Sequence, residues 1–300
     1  MGICDGTVVI VTGAGRGLGR AHALELAAQG ASVVVNDLGV ERDGSAGTEG
    51  PAHDVVAEIE AMGGAAVANG ADVADFAQAE AMVAQAVETY GRLDALVCNA
   101  GFLRDRMLAS MSEDEWDMVV RVHLKGHFAP ARHAITHWRE RAKAGEDVVA
   151  RVVNTSSGAG LMGSIGQGNY AAAKAAIAEL TIQQAAEWGR YGVLANAIAP
   201  DARTRMTEGI FYSAEVPEDT FDEKAPENVS PLVAWLASPA CDVTGRMFEC
   251  SGGHLNVCDG WQHGDVQSVG DRRMEASEVG DLVHASIAAS PAPAPVYGAQ

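Results

Sequence analysis

Val8-Val-Ile-Val-Thr-Gly-Ala-Gly-Arg-Gly-Leu-Gly19 is the stretch on which the fold turns. Its first half is an unbroken β-branched run, apolar on both faces, as a central strand of a parallel sheet must be. Its second half is a glycine-rich turn, and Leu18–Gln29 then has helical spacing closed by Gly30. Strand, glycine turn and helix in that order present bare backbone N–H groups at a helix N-terminus, where a pyrophosphate can approach. Glycine strings also make ordinary turns; the strand on one side and the helix on the other favour the nucleotide reading.

Outward from this unit the chain alternates between short β-rich runs and amphipathic helical stretches. Further strands are predicted at Ser32–Asn36, Ala65–Asn69, Ala95–Cys98, Val148–Asn154, Val193–Ala197 and, last, Met247–Cys250. Helices are predicted at Asp54–Met62, Phe76–Tyr90, Ser112–Arg141, Asn169–Trp188 and Val229–Ala237, with Ser112 and Glu115 as a capping box. Repeated β-α-β units with right-handed crossovers give an α/β fold, a doubly wound, Rossmann-like parallel sheet in a single domain. The catalytic domain is expected over residues 1–255, with 256–300 a partly irregular C-terminal extension ending in the proline-rich Ser290–Val296. Gly39–Pro51 reads as an inserted loop, and Arg203–Asn228, with Met206, Phe211, Tyr212 and Phe221, reads as a cover over a site.

Apolar residues make up 48% of 300, enough for a large core. The net charge of −19, from 40 acidic and 21 basic residues, argues against a nucleic-acid partner. Cys4, Cys98, Cys241, Cys250 and Cys258 form no CxxC pair and read as reduced structural thiols. No charged-then-apolar leader opens the chain, no apolar run approaches a membrane span, and the final residues are not a peroxisomal address. The expected location is the cytoplasm, with no membrane partner.

Tyr170 and Lys174 stand at i and i+4, so on a helix both project from one face. A free tyrosine, with a pKa of about 10, is a poor base at neutral pH. A nearby ammonium favours the phenolate and can also reach a nicotinamide ribose. Ser157, just past a strand, can hold a substrate oxygen beside Tyr170. Asp37 ends the second strand, about twenty residues beyond the glycines, where a carboxylate accepts from ribose hydroxyls and repels a 2′-phosphate. It could instead cap a turn, and Arg16 in the glycine loop would favour that phosphate. The weight of Asp37 makes NAD the expected cofactor and NADP the second choice. Asp72 and Val73, after the third strand, are placed to cap that turn and face an adenine.

Thr12, Gly13, Arg16, Gly17, Leu18 and Gly19, with Asn99-Ala100-Gly101, Ser157, Tyr170 and Lys174, resemble the short-chain dehydrogenase/reductase family over about residues 5–255. The resemblance implies hydride transfer between a nicotinamide and a secondary alcohol or ketone. It implies Tyr170 as acid/base, Lys174 as its modulator, Ser157 as carbonyl binder and Asn99 as a support of the central sheet. Asn196-Ala-Ile-Ala-Pro200 resembles the family segment beside the nicotinamide, with Asp201 where glycine is usual. His123 stands where most members carry asparagine, which implies a proton relay toward Lys174. That histidine, Val35-Asn-Asp-Leu-Gly39 and Pro231-Leu-Val-Ala-Trp-Leu236 are similar to the (3R)-hydroxyacyl-CoA dehydrogenase domain of the peroxisomal multifunctional enzyme type 2 branch.

The implied substrate is a (3R)-3-hydroxyacyl thioester; Arg104, Arg106, Arg203 and Arg205 are candidates to receive its anionic carrier. An NADPH-dependent 3-oxoacyl reductase, a steroid or sugar alcohol dehydrogenase and a nucleotide-sensing scaffold are the alternatives. The intact Ser157/Tyr170/Lys174 set argues against the scaffold. His123/His127 and His133/His137 have a zinc-compatible spacing but no evident third ligand, and no metal is expected. His123 could also be a packed core histidine. The two long helices carry more small and apolar residues than one sheet face needs, and a homotetramer or homodimer is expected.

Overall fold

The computed structural model describes residues 2–39, 50–203, 220–258, 263–291 and 295–298. Seven parallel strands and one antiparallel edge strand form a single sheet, ordered β3-β2-β1-β4-β5-β6-β7-β8. The strands are β1 (Val8–Thr12), β2 (Ser32–Asn36), β3 (Ala65–Asn69), β4 (Ala95–Cys98), β5 (Ala150–Thr155), β6 (Val193–Pro200), β7 (Met247–Ser251) and β8 (His254–Cys258). The helices are α1 (Gly17–Ala28), α2 (Pro51–Ala61), α3 (Phe76–Tyr90), α4 (Glu113–Val120), α5 (Gly126–Lys143), α6 (Gly158–Met162), α7 (Gly168–Trp188), α8 (Ser230–Ala237) and α9 (Val279–Ala289).

Alternation along the buried strands sorts the core into two layers. Val9, Val11, Val33, Val35 and Val97 face Leu26 of α1, Ile59 of α2 and Val233 of α8. Val8, Ile10, Val34 and Leu96 face Met82 of α3 and Ala134 and Trp138 of α5. A sheet covered on both sides this way needs apolar residues at every position, which is why β1 reads as a continuous run. The strand order reverses between β1 and β4, so a crevice opens at the C-terminal ends of those strands.

Helices α6 and α9 have no counterpart in the sequence reading, and two further departures bear on the site. The helix expected over Ser112–Arg141 starts as foreseen, with Ser112 Oγ accepting from Glu115 N and Glu115 accepting from Ser112 N. It is then interrupted: Arg121–Lys125 forms one π-type turn between α4 and α5. Such a turn absorbs an extra residue and re-aims the side chains after it, which hydrophobic periodicity does not reveal. Met247–Ser251 is not the last strand. β8 pairs antiparallel with it and carries the sheet through residue 255, the boundary drawn from sequence, to Cys258. β8 is an edge strand whose residues are mostly exposed, so it lacks the buried alternation that marks the others. Among the described residues, no helix is long and apolar enough to cross a membrane.

Candidate active site

The crevice is built first by backbone. Thr12 ends β1, and its Oγ1 accepts from Asn99 N and Ala100 N at 2.9 and 3.1 Å. Asn99 Nδ2 returns bonds to Thr12 O and Gly13 O at 3.0 and 3.2 Å, locking the ends of β1 and β4 together. Gly13 has φ +62°, and a Cβ there would stand 2.7 Å from Ala100 Cα. At Gly19 a Cβ would meet Gly13 O at 2.1 Å. Any side chain at either position would break the turn. Arg16 is the N-cap residue of α1, with Gly17 and Leu18 opening the helix.

Asp37 reaches from the end of β2 to this loop. Its carboxylate accepts from Gly15 N and Gly39 N, both at 2.8 Å. The turn-capping role weighed from sequence is therefore present, and each oxygen keeps a second lone pair for another donor. Asp72 accepts from Ala74 N at 2.8 Å and pairs with Arg121 at 2.6 Å, linking its turn to the π-type turn. Val73 is buried against Gly126.

Ser157, Tyr170, Lys174 and His123 line one cavity of about 470 Å³, together with Leu18, Asn99, Gly101 and Pro200. β5 delivers Ser157 just past its C-terminal end. Ser157 Oγ accepts from Ala159 N at 3.2 Å and so caps α6. α7 delivers Tyr170 and Lys174 on one face, with Lys174 Nζ 5.4 Å from the centre of the Tyr170 ring. Asn169 fixes the start of α7: its side chain donates to Arg104 O and Glu115 O and accepts from Tyr170 N.

Burial governs the titrating groups. It pushes the Tyr170 phenol up, against a hydrogen bond with Ser157 that pulls it down; Asp105 adds to the rise. Lys174 is enclosed, donates to Thr155 O at 2.6 Å, and is brought down by desolvation to about 7. His123 is held well below its ordinary value, first by burial and then by the Lys174 charge, with the bond to Phe102 opposing. It is a neutral imidazole, its Nε2 lying 2.8 Å from Phe102 O. With the proton assigned to that nitrogen, Nδ1 is a buried acceptor with no hydrogen-bond partner among the described residues. Its ring meets Tyr170 edge-on at 5.1 Å. Gly101 makes the room, since a Cβ there would strike His123 Cε1 at 2.2 Å.

Sequence reasoning missed His127. Its Nε2 accepts from Thr155 N at 3.3 Å and its Nδ1 donates to His123 O at 2.7 Å. Thr155 thus joins the lysine to His127, which in turn holds the main-chain carbonyl of His123. An i, i+4 histidine pair followed by a buried strand end was the available signal, and it was weighed only for zinc. His133 instead packs on Phe76, with ring centres 4.2 Å apart.

The arginines expected to receive an anionic carrier have carboxylate partners: Arg104 faces Asp114 at 3.9 Å, Arg106 meets Glu115 at 2.8 Å, and Arg203 bonds Asp222. Arg205, Met206, Phe211 and Tyr212 lie outside the described residues, as does most of the insert after Gly39. Asp201 pairs with Lys224 at 2.5 Å and takes its N–H to Cys250 O.

The glycine cradle, the locked ends of β1 and β4 and the cavity beyond them could hold a nucleotide cofactor. A sequence model of the short chain dehydrogenase family matches residues 7–213, and the chain belongs to that family. It is an oxidoreductase acting on CH–OH groups, and its family uses nicotinamide dinucleotides. It is 50% identical over 252 residues to hydroxyacyl-CoA dehydrogenase ChsB1 of Mycobacterium tuberculosis, covering 81% of this chain and 77% of that one. Peroxisomal multifunctional enzyme type 2 of Mus musculus is 43% identical over 251 residues; the match covers 84% of this chain but only 32% of that longer protein. A crystal structure of a short chain dehydrogenase from Mycobacterium avium superposes with a TM-score of 0.90 at 58% identity, covering 99% of this chain and 100% of that one.

Proposed function

We propose that this enzyme oxidises a (3R)-3-hydroxyacyl thioester to its 3-oxo form with NAD. The observation that carries the reaction type is the convergence of Ser157, Tyr170, Lys174 and His123 on one cavity beside the glycine turn. When bound, a nicotinamide would supply the acceptor for the hydride on the carbon that bears the alcohol. Ser157 positions the substrate oxygen, and Tyr170 accepts its proton. Lys174, poised near neutrality by burial, supplies the positive charge that favours the phenolate. His127, tied to Lys174 through Thr155, orients that lysine, and the Nδ1 of His123, beside the Tyr170 ring, is an acceptor for a water that carries the proton onward.

The thioester class is supported by the names of the relatives at 50% and 43% identity. NAD is supported by Asp37, whose carboxylate stands at the end of β2 against the glycine loop. Arg16 in that loop is the observation that favours NADP. A homo-oligomer is also proposed, because α5 and α7 leave Phe128 and Ile182 exposed beside a surface groove. Absorbance at 340 nm with NAD or NADP and a panel of 3-hydroxyacyl-CoA, steroid and sugar alcohols tests the reading. Turnover of 3-hydroxyacyl-CoA with NAD is expected, and Asp37→Ala should erode the preference for NAD by about tenfold. Turnover of a free steroid alcohol alone, or a wild type that prefers NADP, would overturn the corresponding part.

A further inference from the structure

The end of the chain returns to the catalytic pocket. Beyond α9, Tyr297 pairs with Ser164 as a single parallel bridge. Tyr297 N donates to Gly163 O at 3.2 Å, and Ile165 N donates to Tyr297 O at 2.9 Å. On either side the tail fits closely. A Cβ on Gly163 would touch Val296 Cγ1 at 3.3 Å, and one on Gly298 would touch Ile165 Cβ at 3.6 Å. The Tyr297 ring lies on Gly158, the residue directly after Ser157. A Cβ at Gly158 would stand 2.7 Å from the phenolic oxygen. The same ring lines the cavity shared by Ser157, Tyr170 and Lys174, as do Glu249 and Asn256.

We propose that Tyr297 is a specificity-determining residue. Its ring walls the substrate pocket on the Ser157–Gly158 side and admits a slim, linear substituent there on the reacting carbon while excluding a ring. The inference rests on the reading of Ser157 and Tyr170 as the pair that handles the substrate oxygen. Three features carry it. Two backbone hydrogen bonds fix the segment rather than leaving the ring to drift. The absence of a side chain at Gly158 lets the phenol approach the backbone that holds Ser157. The cavity of about 470 Å³ must also admit the nicotinamide end of the cofactor, so little width is left beside that wall. Burial, with Glu249 and Asp201 adding to it, keeps the Tyr297 phenol protonated. It is therefore a wall with a neutral hydroxyl and not a second base.

The test compares kcat/KM of the full-length wild type, Tyr297→Phe and Tyr297→Ala on two matched alcohols. One is a straight-chain 3-hydroxyacyl-CoA; the other carries a cyclohexyl group directly on the carbon that bears the alcohol. Tyr297→Ala should raise the ring-to-straight ratio by about tenfold, mainly through KM, the size expected when a pocket wall is cut back. Tyr297→Phe should keep the wild-type ratio, and all three proteins should bind the nucleotide equally. A chain ending at Ser290 should behave like Tyr297→Ala. An unchanged ratio in Tyr297→Ala, or a nucleotide affinity that falls with it, would overturn the proposal. If the wild type oxidises a different class of secondary alcohol, the thioester reading fails. The same ratio is then taken with straight and ring-bearing forms of that alcohol, and the wall stands or falls on it.

Discussion

The two ends of the proposed site, the glycine turn and the cavity beyond it, are made by different means. At the nucleotide end, Thr12, Asn99, Gly13 and Asp37 work through backbone shape and backbone hydrogen bonds. The substrate end uses side chains removed from water, namely Lys174, His123, His127 and Tyr170, whose charge states burial has displaced. One end holds a shape and the other holds a proton. Damage to the first should appear in binding, and damage to the second in turnover and in pH dependence.

The largest effect expected at the proton-transfer end is that of Tyr170→Phe, which keeps the ring and removes the hydroxyl. Turnover should fall by about 10³-fold in steady-state assays, the range lost with a positioned acid/base. Near-normal activity on a confirmed substrate would end the assignment of Tyr170. His123 should come next. His123→Leu fills the space without a polar atom and should lower kcat by about 10²-fold, while His123→Asn keeps most of the activity. The pH profile of kcat should shift in the asparagine variant. Equal kcat in wild type and His123→Leu would reduce His123 to packing.

A smaller effect concerns the fold. Burial brings His127, and His22 on α1, down to about 3 in the folded protein and holds His123 well below its ordinary value, while an unfolded histidine titrates near 6.5. As pH falls through 6.5 the unfolded chain takes up protons that the native state refuses. Stability should therefore drop as pH falls below about 6.5, by about 1.4 kcal/mol per pH step for each such histidine, and for His127 and His22 the drop continues down to about 3. Lys174 has the same sign between its unfolded value and about 7, since its ammonium is disfavoured in the fold. Urea unfolding at pH 8, 6 and 5 reads this loss. His123→Asn should flatten the fall below pH 6.5, and a wild type equally stable at pH 7 and 5 would contradict it.

How far each end could be read from the sequence follows from the same contrast. The nucleotide end was legible because its parts are local: a buried run, glycines at fixed offsets and a carboxylate at the end of the next strand. Ser157, Tyr170 and Lys174 were legible from their spacing and the strand before them. The role of His127 was not, because it depends on Thr155, which only the pairing of β4 with β5 brings within reach. Nor was Tyr297, which sits in a segment of proline and small residues whose register against Gly163–Ile165 leaves no periodic trace. The π-type turn that carries His123 was hidden for the same reason, since an inserted residue leaves the apolar spacing nearly intact.

Nucleotide titration of Tyr170→Phe beside Gly13→Ala tests most directly the claim that the two ends are separable. Gly13 sits at φ +62°, 2.7 Å from Ala100 for any added Cβ, so the alanine must deform the cradle. The account predicts that Tyr170→Phe binds NADH within about twofold of wild type while Gly13→Ala binds at least about tenfold more weakly, a difference of about 1.4 kcal/mol or more. Loss of NADH binding in Tyr170→Phe with intact binding in Gly13→Ala would contradict it.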